Sequence, residues 1–476
     1  MGMSLQEIRR AHLIGIGGIN MSGVAKLLKR SGIYVTGSDV AQSEATDELV
    51  GLGISVAIGH DASHVPSDVD LIIYTSAAPE NNPERVAARM RGIPQMTNFA
   101  FLGQWLGEKR CMLICGTHGK STTTAMAGLL LLAADQDPTV IVGSRVPEFP
   151  DGNVRFGSSD FVVIEGDEYA KHFLEFEPSV VVLNNLELDH TDIYPDLDSL
   201  MEVFRELLQK IRNGGMVIAN ADDRHVQTLV GQERFALLER GIRVRTFGFG
   251  SHADHQILDY QPRAGEQLFS LRDAQNRVQR FRLLIPGRMN VMNAAAALTL
   301  VHSLGVALDV LEKTLASFHG IWRRFQLLPS PAGAGEDVLF VSDYAHHPTA
   351  VAATLEAAKS FYPGRRIVLV FQPHQRKRTR DLFFDYIPSF DRADALLILE
   401  IYDVIGRESA DQEPISSRDL QDAIVRHDAE RGVMRTVDYV PSPNDVLLVL
   451  KRWIRKGDLV LFVGAGDIYK IDLTRL

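Results

Sequence analysis

The chain has 476 residues, more than one hydrophobic core can serve, so it is expected to divide into two to four domains. Hydrophobic residues make up 45% and charged residues 23%, the proportions of a soluble globular protein. A formal net charge of −10 argues against a general nucleic-acid binder, although a local basic patch can still hold a small anion.

The N-terminus MGMSLQEIRR lacks the apolar core of a signal peptide, and Arg9-Arg10 leads into a glycine-rich turn rather than an export signal. The longest apolar stretch, Ala125 to Ala134, is roughly half of what a bilayer span requires, so no membrane insertion and a cytoplasmic location are expected. His12–Ile16 reads as a strand, Met21–Arg30 as a helix and Tyr34–Gly37 as the next strand. Between the first two lies Gly15-x-Gly17-Gly18, followed by Ser22 and Gly23, and Asp39 follows the second strand where a ribose-binding acid would sit. Asn20 takes the third glycine position of a dinucleotide fingerprint. The pattern therefore indicates a diphosphate-binding turn of low specificity, with a turn that merely packs as the alternative. Leu71–Thr75 is a further strand of this unit.

A second unit opens with the apolar strand Cys111–Cys115. Its two cysteines lack the remaining ligands of a metal site, which makes reduced, buried thiols the expectation. The loop Gly116-Thr117-His118-Gly119-Lys120-Ser121 follows, and the helix Thr122–Leu132 comes next. Glycines let backbone N–H groups close around phosphate oxygens where a helix N-terminus adds positive potential. Lys120 would reach the outer phosphates and Ser121 would ligate Mg²⁺. A purely structural turn leaves Lys-Ser at a helix start unexplained. Glu165 follows the strand Phe161–Ile164 and precedes Gly166, Asp167 and Glu168. Asn185, Asp189, His190 and Asp192 follow the strand Val180–Leu183. Parallel-strand ends build the sites of open α/β sheets, so Glu165 and His190 are candidates to reach a magnesium ion beside Lys120.

Ala253–Leu284 alternates polar and apolar residues and reads as antiparallel strands, and Pro331–Glu336 as a flexible loop near a boundary. A third α/β unit runs through strands Val338–Ser342, Ile367–Phe371, Ala395–Leu399 and Leu459–Val463. It carries DYAHHP from Asp343 and a basic run with Arg376, Lys377, Arg378 and Arg380. That run fits a loop gripping carboxylate or phosphate, mainly through Arg378, with Arg376 and Lys377 on a solvated face. Alternating strands and helices throughout predict an α/β protein of three domains, at 1–108, 109–322 and 323–476.

The ordered set GIGGINMSG, GSD, YTSAAPENNPE, GTHGKSTTT, EGDEY, NNLELDHTDIY, PGRMNVMNA, FHGIWRRF, DYAHHPTAV and FQPHQRKRTRDL resembles the Mur ligases of peptidoglycan synthesis over nearly the whole chain. The resemblance implies a Rossmann-like UDP-binding domain, a central P-loop-type ATPase domain and a C-terminal Rossmann-like domain that receives the amine. It implies that Gly15, Gly17, Gly18 and Ser22 grip UDP with Asp39 nearby. Gly116 to Thr122 would hold ATP, with Ser121, Glu165 and His190 around Mg²⁺. Asn290 and Asn293 would lie near the adenine, and Arg324 and Asp343 would contact the nucleotide at a hinge. His347 and Arg378 would face the carboxylate and the incoming amino acid. The implied partners are UDP-N-acetylmuramate and L-alanine, with no nucleic acid, and a monomer or weak homodimer. FQPHxxxRT points to members that add L-alanine, whereas NNLELDHTDIYPDL leans to members that attach a recycled peptide. Departures from the family pattern are Gly166, Tyr169 and Ala170 in the acidic segment, Asn184 for threonine and Met289 for histidine. They motivate one alternative, a nucleotide-binding relative without catalysis. The N-terminal turn motivates another, a nicotinamide-dependent oxidoreductase, which leaves GTHGKS without a role.

Overall fold

A computed structural model describes residues 7–191, 193–331, 335, 337–403 and 415–476. It contains three sheets in succession. The first is wholly parallel, with strands β1 (Arg10–Ile14), β2 (Tyr34–Asp39), β3 (Ser55–Ile58), β4 (Leu71–Tyr74) and β5 (Gln95–Thr97) in the order 3-2-1-4-5. Helices α1 (Ile19–Arg30), α2 (Glu44–Gly51) and α3 (Pro83–Met90) make the crossovers, and α4 (Asn98–Leu106) leads out of the sheet. The first strand ends two residues earlier than its apolar run suggests. Gly15 adopts φ +78°, and the Gly15 and Ile16 amides turn away to donate to the Ser38 carbonyl.

The central sheet has ten strands in the order 15-14-13-12-11-10-6-9-7-8. Its strands are β6 (Arg110–Cys115), β7 (Thr139–Ile141), β8 (Val154–Arg155), β9 (Phe161–Glu165), β10 (Val180–Leu183), β11 (Met216–Asn220), β12 (Arg243–Gly248), β13 (His255–Arg263), β14 (Glu266–Arg272) and β15 (Val278–Leu283). Strand β6 pairs in parallel with both β9 and β10, so the loops after all three emerge at one edge. Helix α5 (Lys120–Ala133) packs beside α8 (Arg288–Ser303) and α9 (Leu308–Ala316), while α6 (Leu197–Lys210) and α7 (Arg224–Glu239) cover the other face. The antiparallel stretch expected from alternation is present as β13 to β15. Glu165 is the last residue of its strand rather than the residue after it.

The third sheet contains β16 (Gln326–Leu328), β17 (Leu339–Asp343), β18 (Ile367–Phe371), β19 (Ala395–Leu399), β20 (Thr436–Val440) and β21 (Leu459–Val463), in the order 16-17-21-18-19-20. The sequences IVLVF, ALLIL and LVLFV are buried at every position, as parallel strands covered on both faces require. Around them lie α10 (Pro348–Phe361), α11 (Arg376–Asp381), α12 (Phe383–Ser389), α13 (Ser417–Glu430) and α14 (Pro443–Trp453). The loop expected at Pro331–Glu336 falls mostly outside the described residues, as does Asp192. Among the described residues no helix is long and apolar enough to cross a membrane.

The domains are joined by contacts that matter for the site. Phe99, Phe101 and Leu102 of α4 share one core with Phe173 of the 3-10 turn Tyr169–Glu175 and with Phe176, which caps it. Each buried aromatic side chain contributes about 1.5–3 kcal/mol. The same turn follows Glu168, so the first domain buttresses the segment that carries this acid. Lys26, buried, donates to Glu48 and to the Asp151 carbonyl at 2.6 and 2.8 Å, tying α1 to the central domain. Phe173→Ala removes a fully buried ring packed edge-on to Phe204. It is expected to cost about 3–5 kcal/mol, measured by denaturant unfolding.

Candidate active site

The loop between β6 and α5 is built from its glycines outward. Gly119 adopts φ +80° and directly precedes the helix, so α5 begins at Lys120, two residues earlier than apolar periodicity suggests. A Cβ at Gly119 would lie 2.2 Å from Asn293 Oδ1, which places Asn293 against the phosphate loop. Its neighbour Asn290 donates to the Pro286 carbonyl at 2.7 Å and accepts from Asn293 at 3.1 Å. The His118 amide donates to Asn185 Oδ1 at 2.7 Å, and the Thr117 hydroxyl donates to the Glu187 carbonyl at 2.9 Å. Gly116 also packs against the backbone of Asn185. The loop after β10 thus holds the loop after β6 in shape.

Lys120 Nζ donates to the Gly116 carbonyl at 2.7 Å and to Glu168 Oε1 at 2.9 Å. Burial alone would lower its pKa; Glu168 and Glu165 outweigh that and keep the ammonium charged. Ser121 Oγ donates to Glu165 Oε1 at 3.0 Å, while Glu165 Oε2 accepts from the Gly143 amide at 2.7 Å. Burial pushes the Glu165 carboxyl up, against the pull of Lys120. His190, at φ +54°, sets Nε2 3.6 Å from Glu168 Oε1. Burial opposes its protonation, and the Glu168 and Asp189 carboxylates outweigh burial and raise its pKa. Glu168 Oε2 and His190 Nδ1 are buried without a hydrogen-bond partner. The unsatisfied Glu168 carboxylate oxygen, in the buried charged cluster that Lys120 shares with Glu165 and Glu168, is the kind of donor a divalent cation would satisfy. Glu168 is the member of this cluster that strand-end reasoning passed over, because it lies three residues beyond β9.

The departures of the acidic segment have local causes. A Cβ at Gly166 would lie 2.4 Å from Cys115 Sγ, so the thiol occupies the space an alanine methyl would need. Ala170 and Lys171 have positive φ, and Tyr169 sets its ring edge-on to His190, 5.2 Å between centroids. Asn184 donates to Thr123 Oγ1 at 2.9 Å. Met289 packs against the core of the C-terminal domain. Both cysteines are free and buried, and burial pushes the Cys111 thiol up to about 12.

A cleft of about 620 Å³ lies between the central and C-terminal domains, lined by His118, Gly119, Thr122, Asn290, Asn293, Arg324 and Asp343 among others. Both Asp343 oxygens are engaged, accepting from the Phe325 and Ala345 amides at 2.7 Å each. In this geometry Asp343 fixes the hinge backbone while forming part of the cleft wall. Arg378 departs from expectation. Instead of facing open space for a carboxylate, it is buried and ion-paired to Asp189, with Nε at 3.0 Å and Nη2 at 2.9 Å from Oδ1. His347 likewise faces Glu187 and His118 of the central domain, its Nε2 3.3 Å from the Leu188 carbonyl. Burial and His118 keep its pKa low. Arg376 and Lys377, expected on a solvated face, pair with Asp403 and Asp381, and Lys377 reaches the Thr191 carbonyl at 2.7 Å.

In the first domain, Asp39 Oδ2 accepts from the Gly17 amide at 2.8 Å, and Gly18 caps α1. Ser22 is buried, its hydroxyl donating to the Ile19 carbonyl. The turn, Ser22 and Asp39 therefore form one local unit. Sequence reading missed its neighbour Glu84, fully buried and bonded to His12 and His60 at 2.7 Å each; only the two histidines and PE at a helix start hint at it.

Comparison with known proteins identifies the family. The models named Mur ligase family, catalytic domain; Mur ligase middle domain; and Mur ligase, glutamate ligase domain match residues 10–110, 114–301 and 323–466. The chain belongs to the Mur ligase family. It is 38% identical to a UDP-N-acetylmuramate–L-alanine ligase from Clostridium novyi, over 97% of this chain and 96% of the relative. A similarly named enzyme from Desulfosudis oleivorans is 36% identical over the same shares. A crystal structure of the UDP-N-acetylmuramate–alanine ligase from Thermotoga maritima superposes with a TM-score of 0.80 at 28% identity, covering 98% of this chain and 97% of that one.

Two outcomes test the geometry. Gly166→Ala is expected to destabilise by about 1–3 kcal/mol through overpacking, and adding Cys115→Ala should recover most of that, read by a double-mutant cycle of thermal unfolding. Asp189→Asn leaves a buried guanidinium without its counter-charge and should cost about 3–5 kcal/mol. Arg378 outweighs burial and holds Asp189 well below the usual carboxylate range, and Glu187 is held down from 4.5 to about 2 despite burial, chiefly by His118. Both carboxylates thus favour the folded state above the unfolded carboxylate range, and that contribution is lost as pH falls toward 2. Melting temperature should drop with acidification, less steeply in Asp189→Asn.

Proposed function

We propose that this chain joins L-alanine to the carboxylate of UDP-N-acetylmuramate at the expense of ATP, in the cytoplasm, as a step of peptidoglycan precursor synthesis. The observation that carries the reading is the GTHGKS loop itself, whose His118 and Gly119 line a cleft with the C-terminal domain as its opposite wall and whose Lys120 is held charged beside Glu168. We take the domains to be 1–108, 109–322 and 323–476; the change of sheet after β5 and again after β15 supports these limits.

A carboxylate is a poor electrophile at neutral pH. Transfer of the γ-phosphoryl group converts it to an acyl phosphate, which the amine attacks with loss of phosphate and formation of the amide. Lys120 balances charge on the phosphoryl oxygens, and the loop amides at the start of α5 hold the chain of phosphates in line. Ser121, Glu165, Glu168 and His190 would hold Mg²⁺, whose contribution when bound is to neutralise the phosphates. Asn290, Asn293 and Arg324 shape the nucleotide cleft, and the Gly15–Gly18 turn with Ser22 and Asp39 takes the UDP diphosphate and ribose. The amine must be neutral to attack. Asp189 is spent on Arg378, and the pair holds the C-terminal domain over the site and keeps water from the acyl phosphate.

Phosphate release from ATP with UDP-N-acetylmuramate tests the reading, comparing L-alanine, glycine, L-serine and the tripeptide recycled from murein. Release is expected with L-alanine and little with the tripeptide. Lys120→Ala should lower amide formation by at least about 100-fold. Unchanged turnover in that variant would overturn the mechanism, whereas preference for the tripeptide would change only the amine substrate.

A further inference from the structure

We infer that His118, Glu187 and His347 form an inter-domain binding site for a borderline-soft divalent transition-metal ion of the Zn²⁺ type, built from different side chains than the charged cluster around Lys120. One ligand atom from each residue lies within 4.8 Å of the other two. His118 Nε2 is 2.9 Å from Glu187 Oε2, and His347 Nδ1 is 3.8 Å from the same oxygen. Metal–ligand bonds of roughly 2.0–2.2 Å place tetrahedral ligand atoms roughly 3.3–3.6 Å apart, so the shorter separation must open slightly and the longer one close slightly. Two imidazole nitrogens and one carboxylate, with a fourth position open, suit Zn²⁺ or Co²⁺ and are poor ligands for Mg²⁺.

The surroundings orient the ligands. His347 Nε2 lies 3.3 Å from the Leu188 carbonyl, which fixes the tautomer and turns the Nδ1 lone pair toward Glu187. Among the described residues that lone pair is otherwise engaged only by the Thr349 amide at 3.3 Å, a weak cap. The Thr349 hydroxyl donates to Glu187 Oε1 at 2.6 Å, leaving Oε2 to face the imidazoles. Glu187 is held ionised and burial disfavours the protonated form of His347, so neither must lose a proton to bind, whereas His118 must release the Nε2 proton it shares with Glu187. Glu187 and His118 are partly exposed, which opens a path for the ion.

His118 belongs to the phosphate loop, Glu187 to the loop after β10, and His347 caps α10 of the C-terminal domain. An ion on all three would therefore cross-link the two domains and occupy His347 Nδ1. The consequence is inhibition, because the closed arrangement is held.

Titration of the full chain with Co²⁺ in the absence of nucleotide tests this. The expected result is one equivalent bound, with the intense visible absorption of a four-coordinate site, displaced by Zn²⁺ and undisturbed by excess Mg²⁺. Glu187→Gln and His347→Asn should each weaken binding by roughly 10–100-fold or more, with folding checked by circular dichroism. In the native Co²⁺-loaded chain, two paramagnetically shifted imidazole resonances are expected, which reports the ligands without any substitution. Absence of the visible bands, absence of those resonances, or unchanged affinity in either folded variant would overturn the site. Because binding is read without ligase turnover, its failure leaves the proposed reaction untouched, and failure of the ligase assay leaves the metal site untouched.

Discussion

The buried ion pair between Arg378 and Asp189 governs how the C-terminal domain meets the central one. Both groups are removed from water, and each would be costly alone, so the two domains are held in the one relation that satisfies both charges. Everything that depends on apposition follows from it: the nucleotide cleft has its second wall, α10 brings His347 to Glu187, and the segment Leu188–Thr191 is clasped by His347 and Lys377. A pair of this kind adds little net stability compared with apolar packing, but it specifies geometry. That is what a site assembled from two domains requires.

The scaffold beneath the site was largely legible from the chain. IVLVF, ALLIL and LVLFV are apolar at every position, and such runs bounded by turn residues read directly as doubly covered strands. The GTHGKS loop was also readable, because its chemistry is local: glycine, lysine and serine act within six residues. Short strands such as β7, β8 and β16 were not, since their residues carry no periodicity and pair only because longer neighbours present an edge. Boundaries slipped where backbone geometry overrode hydrophobicity, as at Gly15 and Gly119.

The site residues divide along the same line. Lys120 and Ser121 open α5 and Glu165 ends β9, positions that local sequence already indicates. Arg378 and His347 were identified as important, yet their partners lie more than 150 positions away in the chain, and no local pattern reveals such a pairing. Glu168 and Glu84 were missed for a related reason: their significance comes from burial beside a cation or an imidazole, and burial of an acid is invisible until the fold is known; the partly exposed Glu187 gains its significance only from imidazoles distant in the chain.

The contact between Cys115 and Gly166 carries an implication for how such a sequence can change over generations. A bulky atom at 115 is tolerated only once the opposite position has given up its methyl group. Loss of that methyl can come first, leaving a small void, but the reverse order forces two atoms into one place. With the sulfur in position, a methyl at 166 meets a clash that glycine avoids, so the order in which the two positions change decides whether the intermediate is strained.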